Sequence, residues 1–332
     1  MQRLSVPMND TSEALSPERL AAIAARASEV TREVSRVFIG GPDVAELLLV
    51  CLFARGHVLL EGVPGVAKTT LAKAFAATLR CDFKRVQFTP DLLPADITGT
   101  YVHSPNDGSW KLREGPVFAN VVLADEINRA PAKTQSALLE AMQEFQTTID
   151  GETRRLPSPF IVIATQNPVE QAGTYPLPEA QIDRFLMRLV LGYPSARDEE
   201  AMLRRFTSGA PEARPMLRPE EILFAQQLVK AVHVEDTVLD FVVRLAEFTR
   251  RHGMVFLGAS PRAGLALVQA AMALALVQGR PFVLPDDIKR LAPAVLSHRM
   301  VLSPEAQMEG ITGERIVREA LEKIGHRREA RR

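Results

Sequence analysis

The sequence predicts an α/β protein: a parallel sheet sandwiched between helices, followed by an all-helical domain. Two patterns carry this expectation. From His57 to Leu191 short apolar runs alternate with helical periodicity, as in parallel sheets buried on both faces. Beyond Gly192-Tyr193-Pro194 only helical periodicity remains, with no strand pairs and no fixed-period repeat. The length agrees: 332 residues suit about two domains of roughly 150 residues each. The expected division is a disordered tail over 1–15, an α/β domain over 16–192 and a helical lid over 193–332.

Taken in order, Ser16-Pro17-Glu18 reads as a helix start, with a cap, a proline at the first helical position and an acid in the first turn. Leu20, Ile23, Ala27, Val30, Val34 and Val37 then recur at helical spacing on one face. Gly40-Gly41 ends that helix, and a very apolar one runs from about Pro42 to Ala54. Strands are expected at 57–60, 83–88, 117–124, 160–165 and 185–191, and a helix at 68–79. Two hairpin inserts interrupt them, at about 98–113 around Asn106-Asp107-Gly108 and at about 146–156 around Asp150-Gly151. Asp-Gly supplies the positive backbone angles of a tight hairpin turn. Lid helices are expected near 196–207, 219–232, 236–252, 261–278, 285–297 and 304–324, and an Arg-rich frayed end at 327–332.

Composition removes several classes. Forty Lys and Arg balance forty Asp and Glu, and 46% of residues are hydrophobic. This excludes a disordered, collagenous or disulfide-scaffold chain and argues against a nucleic-acid or membrane binder that works through bulk charge. Leu47–Ala54 and Ala263–Val277 are the most apolar stretches, and both fall short of the roughly 20 residues a membrane span needs. The first ten residues lack the apolar core of a signal peptide. Cys51 and Cys81 are too few for a disulfide framework, and a reduced, cytoplasmic setting fits. The six histidines are dispersed, without zinc-ligand spacing.

The chemistry concentrates at a few strand ends. Gly62-Val63-Pro64-Gly65-Val66-Ala67-Lys68-Thr69 approximates the phosphate-binding loop, whose backbone N–H groups and helix N-terminus cradle anions. Gly62 through Thr70 form the expected nucleotide set, with Lys68 on the β- and γ-phosphates and Thr69 on Mg²⁺. Ala67 stands where the general pattern has Gly. This position is expected to be entering the helix already, where Ala carries no strain. The run Val121–Ala124 ends in Asp125-Glu126, placing Asp125 to hold Mg²⁺, mostly through water, and Glu126 to polarise the attacking water. The same pair could be a helix cap. Asn167 could orient that water without adding charge, or be the turn residue of Asn-Pro. Arg184 and Arg262 could stabilise charge developing on phosphate, or serve as surface ion-pair partners.

Four segments, 62–69, 124–131 (Ala-Asp-Glu-Ile-Asn-Arg-Ala-Pro), 166–185 (from Gln-Asn-Pro-Val-Glu-Gln to Ile-Asp-Arg-Phe) and 258–263 (Gly-Ala-Ser-Pro-Arg-Ala), together resemble the MoxR family of AAA+ ATPases. The resemblance covers nearly the whole chain from about residue 20, and Ala67 fits the family's own loop form. It implies a Walker A pair at Lys68 and Thr69, a Walker B pair at Asp125 and Glu126, sensor 1 at Asn167 and sensor 2 at Arg262 on the lid. It further implies that Arg184 is an arginine finger given to a neighbouring subunit, with Arg129 a competitor, and that Phe38-Ile39-Gly40 packs against adenine. The cofactors implied are ATP and Mg²⁺. The assembly implied is a ring, commonly a hexamer, acting as a chaperone-like factor on a protein client, often one bearing a von Willebrand factor A domain. Two alternatives stand beside this reading: a nucleic-acid motor using Arg154-Arg155 in the second hairpin, and a non-catalytic, nucleotide-gated scaffold.

Overall fold

The computed structural model describes residues 15–40, 42–105, 108–167, 174–209 and 211–325. The expected N-terminal tail up to residue 14, the turn at Asn106-Asp107 and the Arg-rich end lie outside them. Helix α1 (Pro17–Val37) starts where expected: Ser16 Oγ accepts from the Arg19 N–H and Pro17 opens the helix. Helix α2 (Pro42–Phe53) follows. It closes with Arg55 at a left-handed φ of 53° and a Gly56 N–H donated to the Cys51 carbonyl, a helix-ending geometry that uses up terminal acceptors.

Five strands, β1 (Val58–Gly62), β2 (Phe83–Gln87), β5 (Val121–Asp125), β8 (Ile161–Gln166) and β9 (Met187–Leu191), form one sheet in the order β2-β5-β8-β1-β9. Every adjacent pair in it is parallel. Residues of β5 alternate between its two sides. Val121 and Leu123 join the core that also holds α1, α2 and α3 (Lys68–Thr78). Val122 and Ala124 join a second core under α5 (Ala132–Glu144), with Leu138, Leu139 and Met142. The expected strand 117–124 starts late: Pro116 opens a 3₁₀ turn over Pro116–Phe118, so pairing begins only at Val121.

The inserts are two antiparallel hairpins, β3 (Gly99–His103) with β4 (Trp110–Glu114), and β6 (Gln146–Ile149) with β7 (Glu152–Arg155). The first is preceded by the one-turn helix α4 (Pro94–Thr98). They touch through three side chains. The Tyr101 hydroxyl donates to Glu152 at 2.6 Å, and Arg154 reaches both Tyr101 Oη at 2.9 Å and Glu152 at 2.7 Å.

After β9 come α7 (Ala196–Ser208), α8 (Pro219–Val229), α9 (Asp236–Arg251), α10 (Pro261–Val277) and α11 (Pro285–Leu296); the short α6 (Glu179–Ile182) precedes β9. Two expectations here are corrected. The lid does contain a strand pair, β10 (Val255–Leu257) with β11 (Val301–Leu302). The helix expected at 304–324 is two, α12 (Pro304–Met308) and α13 (Gly313–Lys323). Gly310, at φ 69°, breaks the chain direction between them, and Thr312 caps the second.

The lid helices share one continuous core with α1 and α2. Ile222, Leu267 and Leu274 are as fully buried as Leu48 and Leu49 of α2. Two glutamines on lid helices finish α2. Gln226 donates to the Leu52 carbonyl at 2.8 Å, and Gln269 donates to the Ala54 carbonyl, supplying partners that helix-terminal acceptors otherwise lack. Gln269, an interruption in the apolar run of α10, is therefore a structural hydrogen-bond donor. Among the described residues no helix is long and apolar enough to cross a membrane.

Candidate active site

Between β1 and α3 the chain turns tightly, and two glycines permit it. A Cβ at Gly62 would meet the Leu191 carbonyl oxygen of β9 at 2.6 Å, and Gly65 takes φ 86°. Ala67 corrects the expectation made for it. Its φ/ψ of 59°/31° is left-handed, so it is not yet helical and occupies a conformation that suits Gly better. Its side chain is half-buried among apolar neighbours. Lys68 begins α3. Its ammonium donates to the carbonyls of Gly62, Val63 and Gln166, the last at 3.3 Å. The lysine thus lies folded back over the loop.

A cavity of ≈ 460 Å³ opens above this loop. Pro64 through Thr70 form one wall. Asp125, Glu126 and Asn167, at the adjoining strand ends, form the other. The sheet order explains the convergence: β5, β8 and β1 are neighbours, and ligands of open parallel sheets bind at the carboxyl ends of strands. Asp125 is buried, and both of its oxygens accept hydrogen bonds. Oδ1 accepts from Thr165 Oγ1 at 2.6 Å. Oδ2 accepts from Thr69 Oγ1 at 3.0 Å and from Arg85 at 2.7 and 3.0 Å. Burial alone would raise its pKa, but the donors Thr165, Arg85 and Thr69 together hold the carboxyl below its ordinary value.

Glu126 sits at φ 57°, its backbone N–H held by Thr165 Oγ1 at 2.9 Å. Its carboxylate accepts from Gln87 at 2.8 Å and lies 3.1 Å from Arg129. Asn167 is buried and faces the same cavity. The Thr69 hydroxyl and the Asp125 carboxylate, 3.0 Å apart, are hard oxygen donors. They suit Mg²⁺, which is usually held by one or two protein oxygens plus substrate phosphates. Among the described residues no group of three or more His, Cys, Asp or Glu could cage a metal without such phosphates.

Ile39 and Gly40 line a second cavity of ≈ 210 Å³, together with Phe38 and Tyr193. Val66 borders both cavities. Arg184 and Arg262 are not among the residues that line either one. Both stand beside Asp183 instead. Arg262, 53% exposed, has its Nε 4.0 Å from Asp183 Oδ2. Arg299, only 3% exposed, donates to Asp183 Oδ1 at 2.8 Å and to the Phe185 carbonyl at 2.8 Å. Burial lowers the Arg299 pKa to about 10 against the opposing pull of Asp183. The lid therefore grips the segment that carries Arg184.

Sequence reasoning missed Arg85, Gln87, Thr165 and Arg299. For the first two a signal existed: they stand two apart near the end of a strand, hence on one face. Which strand lies beside β2 was not readable from the chain.

The family model for ATPases associated with various cellular activities matches residues 57–187, and an AAA lid domain model matches residues 247–320. The chain is 46% identical over 301 residues to the chaperone MoxR1 of Mycobacterium tuberculosis, covering 88% of this chain and 80% of that one. This chain belongs to the MoxR family of AAA+ ATPases. A further relative of this MoxR-family chain, the protein YeaC of Bacillus subtilis, is 49% identical over 298 residues, 89% of this chain and 93% of that one. A crystal structure from Cytophaga hutchinsonii, described as a candidate ATPase, superposes on this MoxR-family fold with a TM-score of 0.87 at 40% identity. It covers 94% of this chain and 98% of that chain.

Proposed function

We propose that this MoxR-family chain binds ATP with Mg²⁺, hydrolyses it, and uses the cycle as a chaperone-like factor that remodels, assembles or activates a protein partner. One observation carries the reading: Lys68, Thr69, Asp125, Glu126 and Asn167, from three chain segments, face a single cavity. The loop N–H groups and Lys68 bind the phosphates. Thr69 and Asp125 hold Mg²⁺, which when bound neutralises phosphate charge. Glu126 accepts the proton of the attacking water, and Asn167 fixes that water's lone pair toward phosphorus. Ile39, Gly40 and Tyr193 receive the base in the adjoining cavity. A mobile lid is taken to begin near residue 193.

Arg184, which lines neither of the two cavities described above, is assigned to a neighbouring subunit's nucleotide, with Arg129 its competitor, and Arg262 is assigned to the lid as the residue that couples lid position to the γ-phosphate. A ring follows from the assignment of Arg184, and six subunits is the number carried over from the family. A partner with a von Willebrand factor A domain and a cytoplasmic location are carried over in the same way. The nucleic-acid reading is weaker, because Arg154 is already committed to Glu152 and Tyr101. A test is steady-state ATPase activity of Lys68→Ala and Glu126→Gln. We expect both to fall by at least about 10², with Glu126→Gln still binding ATP. Wild-type turnover in both would sink the site.

A further inference from the structure

One oxygen of Asp125, Oδ2, is already engaged by a cation of the protein itself. Arg85 and Gln87 lie on β2, which pairs with β5 in the register Gln87↔Asp125. Arg85 approaches Asp125 Oδ2 through Nε at 3.0 Å and Nη2 at 2.7 Å. Thr69 supplies a third donor to that same oxygen at 3.0 Å. A carboxylate oxygen offers about two lone-pair sites, so Oδ2 has none left for a divalent ion. Oδ1 accepts once, from Thr165, and keeps one site.

The arginine is itself oriented. Its Nη2 also donates to Gln87 Oε1 at 2.8 Å, and the Gln87 amide donates onward to Glu126 at 2.8 Å. The guanidinium is partly exposed, at 42%, while the Asp125 side chain is 7% exposed. Arg85 therefore has somewhere to go when it leaves, whereas Asp125 does not. A structural ion pair deep in the core would lack that asymmetry.

We propose that Arg85 is a positioning residue that competes with Mg²⁺ for Asp125, closing Oδ2 to the metal in the nucleotide-free chain and freeing it only when the metal arrives with phosphate. This rests on the ATP and Mg²⁺ reading given above. Removing the guanidinium leaves a buried carboxylate without its counter-ion, and such a group recruits a cation more strongly.

The test is the binding of a fluorescent ATP analogue to the full chain, titrated with Mg²⁺ and repeated in EDTA. In Arg85→Met the Mg²⁺ concentration for half-maximal binding falls about tenfold, and affinity in EDTA changes less than twofold. Arg85→Lys, which keeps the positive charge, stays near wild type. In thermal melts without nucleotide, Mg²⁺ alone stabilises Arg85→Met and leaves wild type unchanged. Should Arg85→Met fail to fold, Arg85→Gln retains a donor to Asp125 and takes its place. An unchanged or higher Mg²⁺ demand in the variant overturns the proposal while wild-type binding leaves the nucleotide reading standing. A large loss of affinity in EDTA also overturns it, by assigning Arg85 to phosphate. Absence of analogue binding by wild type overturns both.

Discussion

A left-handed alanine at position 67 is held in place by the tight loop around it, at a cost of about 1 kcal/mol relative to a residue without Cβ. Ala67→Gly is therefore expected to raise the stability of the nucleotide-free chain by about 0.5–1 kcal/mol, and Ala67→Val to lower it by more than about 1 kcal/mol. Urea unfolding with nucleotide absent checks both. A second residue-scale consequence concerns His57. Its ring packs against both Phe145 and Phe160, which also pack against each other. Nδ1 accepts from the Val162 N–H at 3.0 Å, so Nε2 donates to the Met142 carbonyl at 2.9 Å. Burial lowers its pKa to about 4. The unfolded chain takes up that proton near pH 6.5 and the folded chain does not, so stability is lost as pH falls through the window from about 6.5 to 4. By pH 5 the loss from this group reaches about 2 kcal/mol. His298, buried and pushed the same way by burial and by Arg299, deepens it. Denaturation at pH 7.5 and 5.0 measures the drop, and a flat profile would contradict it. The placement of Lys68, Thr69, Asp125 and Glu126 at one site was legible because loop spacing and strand ends are local features. The Ala67 conformation was not, since a helix start looks alike in sequence whether its cap is left-handed or extended.

At the level of elements, the first hairpin is pinned at its base by glycines. Gly99 takes φ 93°, and a Cβ on Gly115 would lie 2.2 Å from the Ile97 carbonyl oxygen. Gly115→Ala is expected to cost about 1–3 kcal/mol, read as a lowered urea midpoint, with faster amide exchange in β3 and β4. The sheet strands and the longer helices were readable from periodicity, and both hairpins from their Asp-Gly turns; the short α4 and α6 were not. The strand pair of the lid was not, because two- and three-residue strands such as Val301–Leu302 are too short to display alternation. The break at Gly310 was passed over although Gly310 and the capping Thr312 both stand in the sequence.

For the whole molecule, the shared core of α1, α2 and the lid helices joins parts that the chain's pattern separates. A fragment ending at residue 192 leaves Leu48 and Leu49 without the lid residues they pack with. We expect it to aggregate or to unfold without a cooperative transition, whereas the full chain unfolds in one; calorimetry of both decides. Sequence pattern gives the periodicity of each helix but not which helix packs on which, and that is why the junction was invisible. The role proposed for Arg184 at a neighbouring subunit's nucleotide is testable in mixed assemblies. Arg184→Ala alone loses activity, on the order of 10³-fold. Mixed with Lys68→Ala subunits, which keep their arginines, it regains turnover if the arginine acts across a subunit boundary. No recovery in mixed rings would place the arginine's action within its own chain.

The contact among Tyr101, Glu152 and Arg154 bears on how such a protein can diversify. Each hairpin is a self-contained antiparallel pair set between longer elements, so either one resembles a replaceable cassette. Yet the three side chains come from both, one from the first hairpin and two from the second. Grafting a single insert from a relative strands half of that contact, while grafting the pair preserves it. The unit of exchange, for a designer or for a genome, is both hairpins together.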